Sequence, residues 1–194
     1  MPLPTRDDAW NLLCEYTKSD SLRKHARAVE QVMRTYARTR GEDVELFGLI
    51  GMLHDFDYEK YPTQEEHPYT GAKILAERGY PEEIITAIMG HAPYTGVPRE
   101  TLAAQALFAF DELAGFIFAV TFVRPSRSIR EVTPKSVKKK LKQRSFAAAV
   151  SRDDIEQGIT ELGVDRTEHI QFVIDALAQI DEELGLKGTL DITS

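Results

Sequence analysis

From Leu22 onward, apolar side chains fall at Leu22, Ala26, Val29, Val32, Met33 and Tyr36, the i, i+3, i+4, i+7 spacing that lines one face of an α-helix. Ser19, Asp20 and Ser21 precede the stripe as N-cap residues and Gly41 follows it as a stop. A second predicted helix runs from about 43 to 53, where Leu46, Phe47, Leu49, Ile50, Met52 and Leu53 leave almost no polar face, so it belongs at the centre. Pro62 and Pro68 punctuate a loop, and 70–78 reads as a short helix closed by Gly79. Pro81 stands at a first-turn position, Ile84, Ile85, Ile88 and Met89 form an apolar face, and Pro93 forbids continuation. A long helix over about 100–122 follows. Beyond a Pro/Ser/Arg-rich connection at 124–133, the stretches 135–149, 152–162 and 166–185 each read as helical, with Asp153, Asp154, Thr167 and Glu168 in first turns. No alternating segment is long enough for a sheet, and the expected fold is all-α.

The most apolar stretch, 102–123, is long enough to cross a bilayer, yet it contains Gln105, Asp111 and Glu112. Ionised groups at mid-membrane cost about 2.5–3.5 kcal/mol each on insertion scales, so this stretch is read as a buried helix and no membrane partner is expected. The first residues, Met-Pro-Leu-Pro-Thr-Arg-Asp-Asp, show no apolar run behind a basic one, and no signal peptide is expected. A length of 194 residues suits one domain overall, organised as an N-terminal helix over 1–19, a core over 20–122, and a basic connection with C-terminal helices over 123–194 packed on that core. A hydrophobic content of 42% with 17 Phe, Tyr and Trp residues excludes a disordered chain. The one cysteine, Cys14, is expected in the core and permits no internal disulfide. The expected location is cytoplasmic.

The net charge of −7 hides an asymmetry: 124–144 carries nine Lys or Arg against one acid, Glu131, so that segment sums to +8 and the remainder to −15. An acidic remainder argues against a general nucleic-acid surface, as does the lack of interleaved aromatics in 124–144. Lys138, Lys139 and Lys140 cannot all point one way at 100° per residue, and a solvated helix face is one reading of the run. A second is a phosphate clamp, because Lys135, Lys138 and Lys142 share a face and Arg124 and Arg144 flank it, and the third, which the acidic remainder weakens, is nucleic-acid contact.

Four of the five histidines lie in the first half, each where a helix face or end points inward. His25 sits on the apolar stripe, His54 and Asp55 directly follow the most apolar short helix, His67 precedes Pro68, His91 ends the Ile84/Ile88 face, and Asp111 interrupts the Leu107/Ala114/Phe118 stripe. A carboxylate in such surroundings is costly unless paired or bound to a cation, and imidazole with carboxylate is the donor set of Zn, Mn, Fe, Co or Ni. Taken singly, His25 also reads as a core histidine and Asp111 as a partner for a backbone group or an arginine. His169, amid acids on a later amphipathic stretch, reads as a surface or packing residue.

This order of residues resembles the signature of the HD-domain superfamily of metal-dependent phosphohydrolases. Glu66-His67-Pro68-Tyr69-Thr70-Gly71-Ala72-Lys73-Ile74-Leu75 is similar to the His-Pro-x-x-Gly-x-x-Ile-Leu element of two-metal members. Ile88-Met89-Gly90-His91 with Gly96 and Pro98 resembles their next His element, and Phe110-Asp111-Glu112-Leu113 resembles the closing Asp segment. The resemblance covers about 20–120 and implies an HD-like helical bundle with additional C-terminal helices. It also implies that His25, His54, Asp55 and Asp111 hold one divalent ion, while His67, His91 and a bridging Asp55 hold a second, with Mg added to the metals above. Many two-metal members continue the doublet with Ile-Gly-Lys, and some one-metal nucleotidases place a Glu three residues after its Asp. Here Phe56-Asp57-Tyr58-Glu59-Lys60 puts Tyr58 at both places, so Asp57 and Glu59 are expected to assist Asp55 in catalysis and Lys60 to bind substrate.

The expected activity is hydrolysis of a phosphate ester, a small nucleotide or another phosphomonoester or phosphodiester. Arg124, Lys138 and Lys142 are further substrate-binding residues. Two competing readings share the ligand order: a di-iron oxygenase cleaving C–C or C–P bonds with O₂, and a module that binds a phosphorylated ligand without turnover. The C-terminal helices are expected to cover the site or to form a homodimer interface.

Overall fold

In the computed structural model, which describes residues 3–189, the described residues form helices, short 3-10 turns and loops, with no strand. The chain divides into two compact units, Met1–Phe108 and Ala109–Ser194.

The first unit begins with α1 (Arg6–Tyr16), whose N-terminus is closed by a reciprocal capping box between Thr5 and Asp8. The apolar stripe of 22–36 lies on α2 (Asp20–Arg40): Ser19 accepts from the Leu22 amide, and Gly41 ends the helix in the left-handed conformation at φ 72°. Asp43 accepts from the amides of Glu45 and Leu46 and opens α3 (Val44–Leu53). Every residue of α3 from Phe47 to Leu53 is buried, and the helix packs against α2, α1 and α5 (Glu82–His91). Between them, α4 (Tyr69–Glu77) packs on α5. Pro81 is the N-cap of α5, one place before the expected first turn; its missing N–H leaves no bond unmade there.

A charged group is buried inside this unit. Glu30, 3% exposed, accepts from Arg6 Nε at 2.7 Å and Arg34 Nε at 2.9 Å, and Arg34 continues to Glu45 at 2.7 Å. The network satisfies a buried carboxylate that would otherwise be strongly destabilising. It also explains Gly48, where a Cβ would fall 2.4 Å from Arg34 Nε.

The long helix α6 (Leu102–Phe122) crosses the boundary between the units. It has the length and composition of a membrane span, and 67% of its most apolar window is buried. In the second unit follow α7 (Pro134–Leu141), α8 (Arg152–Leu162), α9 (Arg166–Ala178) and α10 (Asp181–Leu184).

Two helix lengths differ from the sequence reading. The helix expected over 135–149 stops at Leu141, because the Arg152 guanidinium draws the carbonyls of Gln143, Phe146, Ala147 and Val150 into a loop, with Ala147 at φ 44°. The helix expected over 166–185 breaks after Ala178, and Asp181, buried, accepts from Arg130 at 2.8 Å. Cys14 is half-buried rather than in the core, since it lies on the flank of α1 away from Ala9, Leu12 and Leu13. His169 is a packing residue: it is buried, stacks on Phe110 with 5.0 Å between centroids, and lies 2.9 Å from the Ala109 carbonyl through Nε2.

Candidate metal centre

The packing of α2 on α3 brings the first two histidines together. Gly51 lets the backbones close: a Cβ there would lie 2.9 Å from the Val29 carbonyl. One turn before Val29, His25 meets His54 edge-on, with centroids 5.2 Å apart. His54 is the C-cap of α3 and Asp55 begins the turn after it. His67 stands just before α4, and His91 is the last residue of α5. His25, His54 and Asp55 each offer a ligand atom within 4.8 Å of the others, as do Asp55, His67 and His91.

The two sets share Asp55, whose carboxylate faces both. Its Oδ2 lies 3.4 Å from His54 Nε2, and its Oδ1 lies 3.2 Å from Nε2 of both His67 and His91. The His67 and His91 Nε2 atoms are themselves 3.4 Å apart.

Three rings are held from behind through Nδ1. That atom lies 2.9 Å from the Gly51 carbonyl in His54, 2.8 Å from Asp57 Oδ1 in His67, and against the Ile88 carbonyl in His91. A carbonyl or carboxylate can only accept, so each Nδ1 carries the proton and each Nε2 is the nitrogen left to act as a ligand. This is how proteins present imidazole to a cation, and the inward ring nitrogens around one carboxylate fit a divalent ion.

Asp57 is buried and divides its two oxygens: Oδ1 accepts from His67 Nδ1, while Oδ2 accepts from the Gly71 amide at 2.8 Å. A Cβ on residue 71 would sit 2.7 Å from the Asp57 carboxyl, which accounts for the glycine in the His67-to-Leu75 element. With no cation bound, burial opposes a charge on His67, but Asp55 and Asp57 on either side outweigh it and raise its pKa to about 9. Burial likewise opposes the Asp55 charge, and the adjoining His54 with hydrogen bonds from His54, His67 and His91 holds that carboxyl well below its usual range.

Residues 22–115 match the family model described as HD domain. This chain contains an HD domain. The matched stretch holds His25, His54, Asp55, His67, His91 and Asp111, the whole ligand order. HD domains bind divalent metals and are generally hydrolases. Comparison with curated proteins gives no match, and comparison with solved structures gives none.

Asp111 lies on the part of α6 that belongs to the second unit, so the HD domain match runs past the end of the first. The remaining residues singled out in the sequence make contacts of their own. Asp57 supports His67 instead of facing Asp55. Glu59 is exposed and accepts from the amides of Lys18 and Ser19 at 2.8 and 2.9 Å, so it joins the loop to the start of α2. Lys60 lies over the Tyr16 ring at 4.8 Å. Arg124 is 3.9 Å from Glu131, Lys138 donates to Thr167, and Lys142 is exposed.

Sequence reasoning missed the tyrosines beside the HD domain's histidines. Tyr58, 42% exposed, meets the His67 ring edge-on at 5.3 Å. Tyr94, 43% exposed, donates its hydroxyl to the His67 carbonyl at 2.7 Å. Burial, with Asp55 and Asp57 nearby, pushes the Tyr94 phenol up to about 12, so it stays protonated. Tyr58 was visible as a departure from the family pattern; Tyr94, in the 3-10 turn Pro93–Thr95, carried no sequence signal.

Proposed function

We propose that this protein is a metal-dependent hydrolase of phosphate esters. The observation that carries the reading is the Asp55 carboxylate, with one oxygen toward His54 and the other shared by His67 and His91, so that it belongs to both groups of candidate ligands. By the family pattern, His25, His54, Asp55 and Asp111 would hold one divalent ion, and Asp55, His67 and His91 would hold a second. Divalent ions at these residues supply charge neutralisation for the phosphoryl oxygens and lower the pKa of water.

The residues of the chain do the rest. Asp55 orients the attacking water. Asp57 keeps the His67 ring turned inward, and the Gly51 and Ile88 carbonyls do the same for His54 and His91. Water adds to phosphorus as the ester P–O bond breaks, and the proton lost by the water goes to the departing oxygen. The half-exposed Tyr58 and Tyr69 offer apolar faces for the organic part of the ester. Small phosphomonoesters, nucleotides among them, and phosphodiesters are the substrate classes.

Dialysed protein should regain phosphatase activity on addition of Mn or Co, and Asp55→Ala should abolish it. Full activity in Asp55→Ala sinks the assignment. A mixed-valent iron signal with oxygen uptake would turn the reading to a di-iron oxygenase, and a bound nucleotide left intact after long incubation with metal would turn it to a binding module.

A further inference from the structure

The second unit contains a cavity of about 670 Å³ whose walls include Lys135, Lys138, Lys139, Lys142, Arg152 and Arg166. Three of these lysines come from α7, Lys142 follows at its C-cap, and the arginines open α8 and α9. One carboxylate faces the same space, Glu156, and it is paired with Arg166. Arg152 spends its two Nη groups on the carbonyls of the 143–150 loop. Lys138 reaches a hydroxyl, Thr167 Oγ1, at 3.0 Å. The nearby Asp165 turns its carboxylate onto the amides of Thr167 and Glu168. Lys135, Lys139 and Lys142 take part in no ion pair among the described residues.

Like charges gathered around a concavity repel one another and hold a positive potential there. This chain has 31 Asp and Glu and sets one of them on this wall, paired with Arg166, while Asp165 feels the charge of Lys138, so compensation for Lys135, Lys139 and Lys142 comes from outside. The volume falls within the range of small-molecule sites. Lysine ammoniums suit phosphate as point charges without demanding one bidentate geometry. The wall itself is largely carbon, from Leu141 and the aliphatic stems of the lysines and arginines that carry the charges at their ends, and with no aromatic side chain there is no platform for stacking bases, which disfavours a nucleic-acid strand.

We propose that this cavity binds a small polyphosphate anion, whether free or as the phosphate tail of a nucleotide. The test is calorimetric titration of the full-length protein with inorganic tripolyphosphate at low salt, with ATP and a dT20 oligonucleotide in parallel arms. Lys135→Gln/Lys142→Gln should weaken tripolyphosphate by about tenfold, while the charge-matched Lys140→Gln/Arg144→Gln, outside the cavity, should change it by less than about twofold. ATP and tripolyphosphate binding alike identifies the phosphate chain as the recognised part, and ATP binding much more tightly identifies a nucleotide. The proposal is overturned if wild type does not bind tripolyphosphate or if the two double variants lose affinity equally, the signature of net charge alone. It is equally overturned if the first variant loses nothing, which places the anion at the metal centre, or if dT20 binds more tightly than either phosphate compound.

Discussion

Asp55 and Asp57 are two residues apart and do different work, because the turn after α3 sends one carboxylate among the inward ring nitrogens and the other behind His67. Asp57→Asn keeps the size of the side chain but weakens the acceptor that fixes the His67 ring. Metal affinity should fall by about 10- to 100-fold, read by competition with a chromogenic chelator, while the fold by circular dichroism stays unchanged. A second expectation concerns protons. In the metal-free protein His67 keeps its proton from its ordinary 6.5 up to about pH 9, and a cation at Nε2 must displace it. Apparent metal affinity should therefore rise with pH, by about tenfold per unit below pH 9, and calorimetry in buffers of different ionisation enthalpy should show a proton released. A pH-independent affinity between 6.5 and 9 would contradict the ligand role of His67. The ligand types and their order are legible in the chain because a cation needs imidazole and carboxylate whatever the packing. The support role of Asp57 is not, because it exists only once Gly71 and His67 fold back onto it.

Glycines set the distances between helices. At Gly51 the carbonyl of Val29 and the backbone of Glu30 occupy the place of a side chain, so Gly51→Ala must push α2 from α3. A loss of about 1–3 kcal/mol is expected, measured as a lower denaturant midpoint, together with weaker metal binding, since α2 carries His25 and α3 ends at His54. In the second unit a Cβ on Gly158 would lie 2.6 Å from Ala109 Cα, and Gly158→Ala should destabilise by a similar mechanism. The start of α2 was readable because Ser19 caps it and capping is local chemistry; Asp43, Ser151 and Asp165 cap α3, α8 and α9 in the same way, though those starts were read from periodicity and first-turn residues instead. The end of α7 was not, since Leu141 is followed by residues able to remain helical and the competing donor is the Arg152 guanidinium. Arg152→Ala should loosen the 143–150 loop, seen as faster amide exchange there.

Each unit also carries a property of its own. Burial holds His169 below its ordinary pKa of 6.5, so the folded second unit favours the neutral ring and the unfolded chain takes up a proton first. Stability is thus fully present above about pH 6.5 and declines as pH falls below it. His169→Gln, which keeps an N–H for the Ala109 carbonyl, should show a flatter decline between pH 7 and 5 in thermal melts, from a lower starting stability because the stack on Phe110 is lost. The basic run of 124–144 and the acidic remainder were evident from composition, but which of its lysines face one cavity depended on where α7 stops and α8 and α9 begin. The helices and many of their caps follow from periodicity and side-chain chemistry, which act over a few residues and are written directly in the chain, and the order of the candidate metal ligands was legible through its resemblance to the HD-domain pattern. The meeting of His54, His67 and His91 at one carboxylate, the tyrosines beside them and the shape of the lysine cavity depend on contacts between segments far apart in sequence. Those contacts are set by how apolar faces and glycines pack, and no local pattern encodes that.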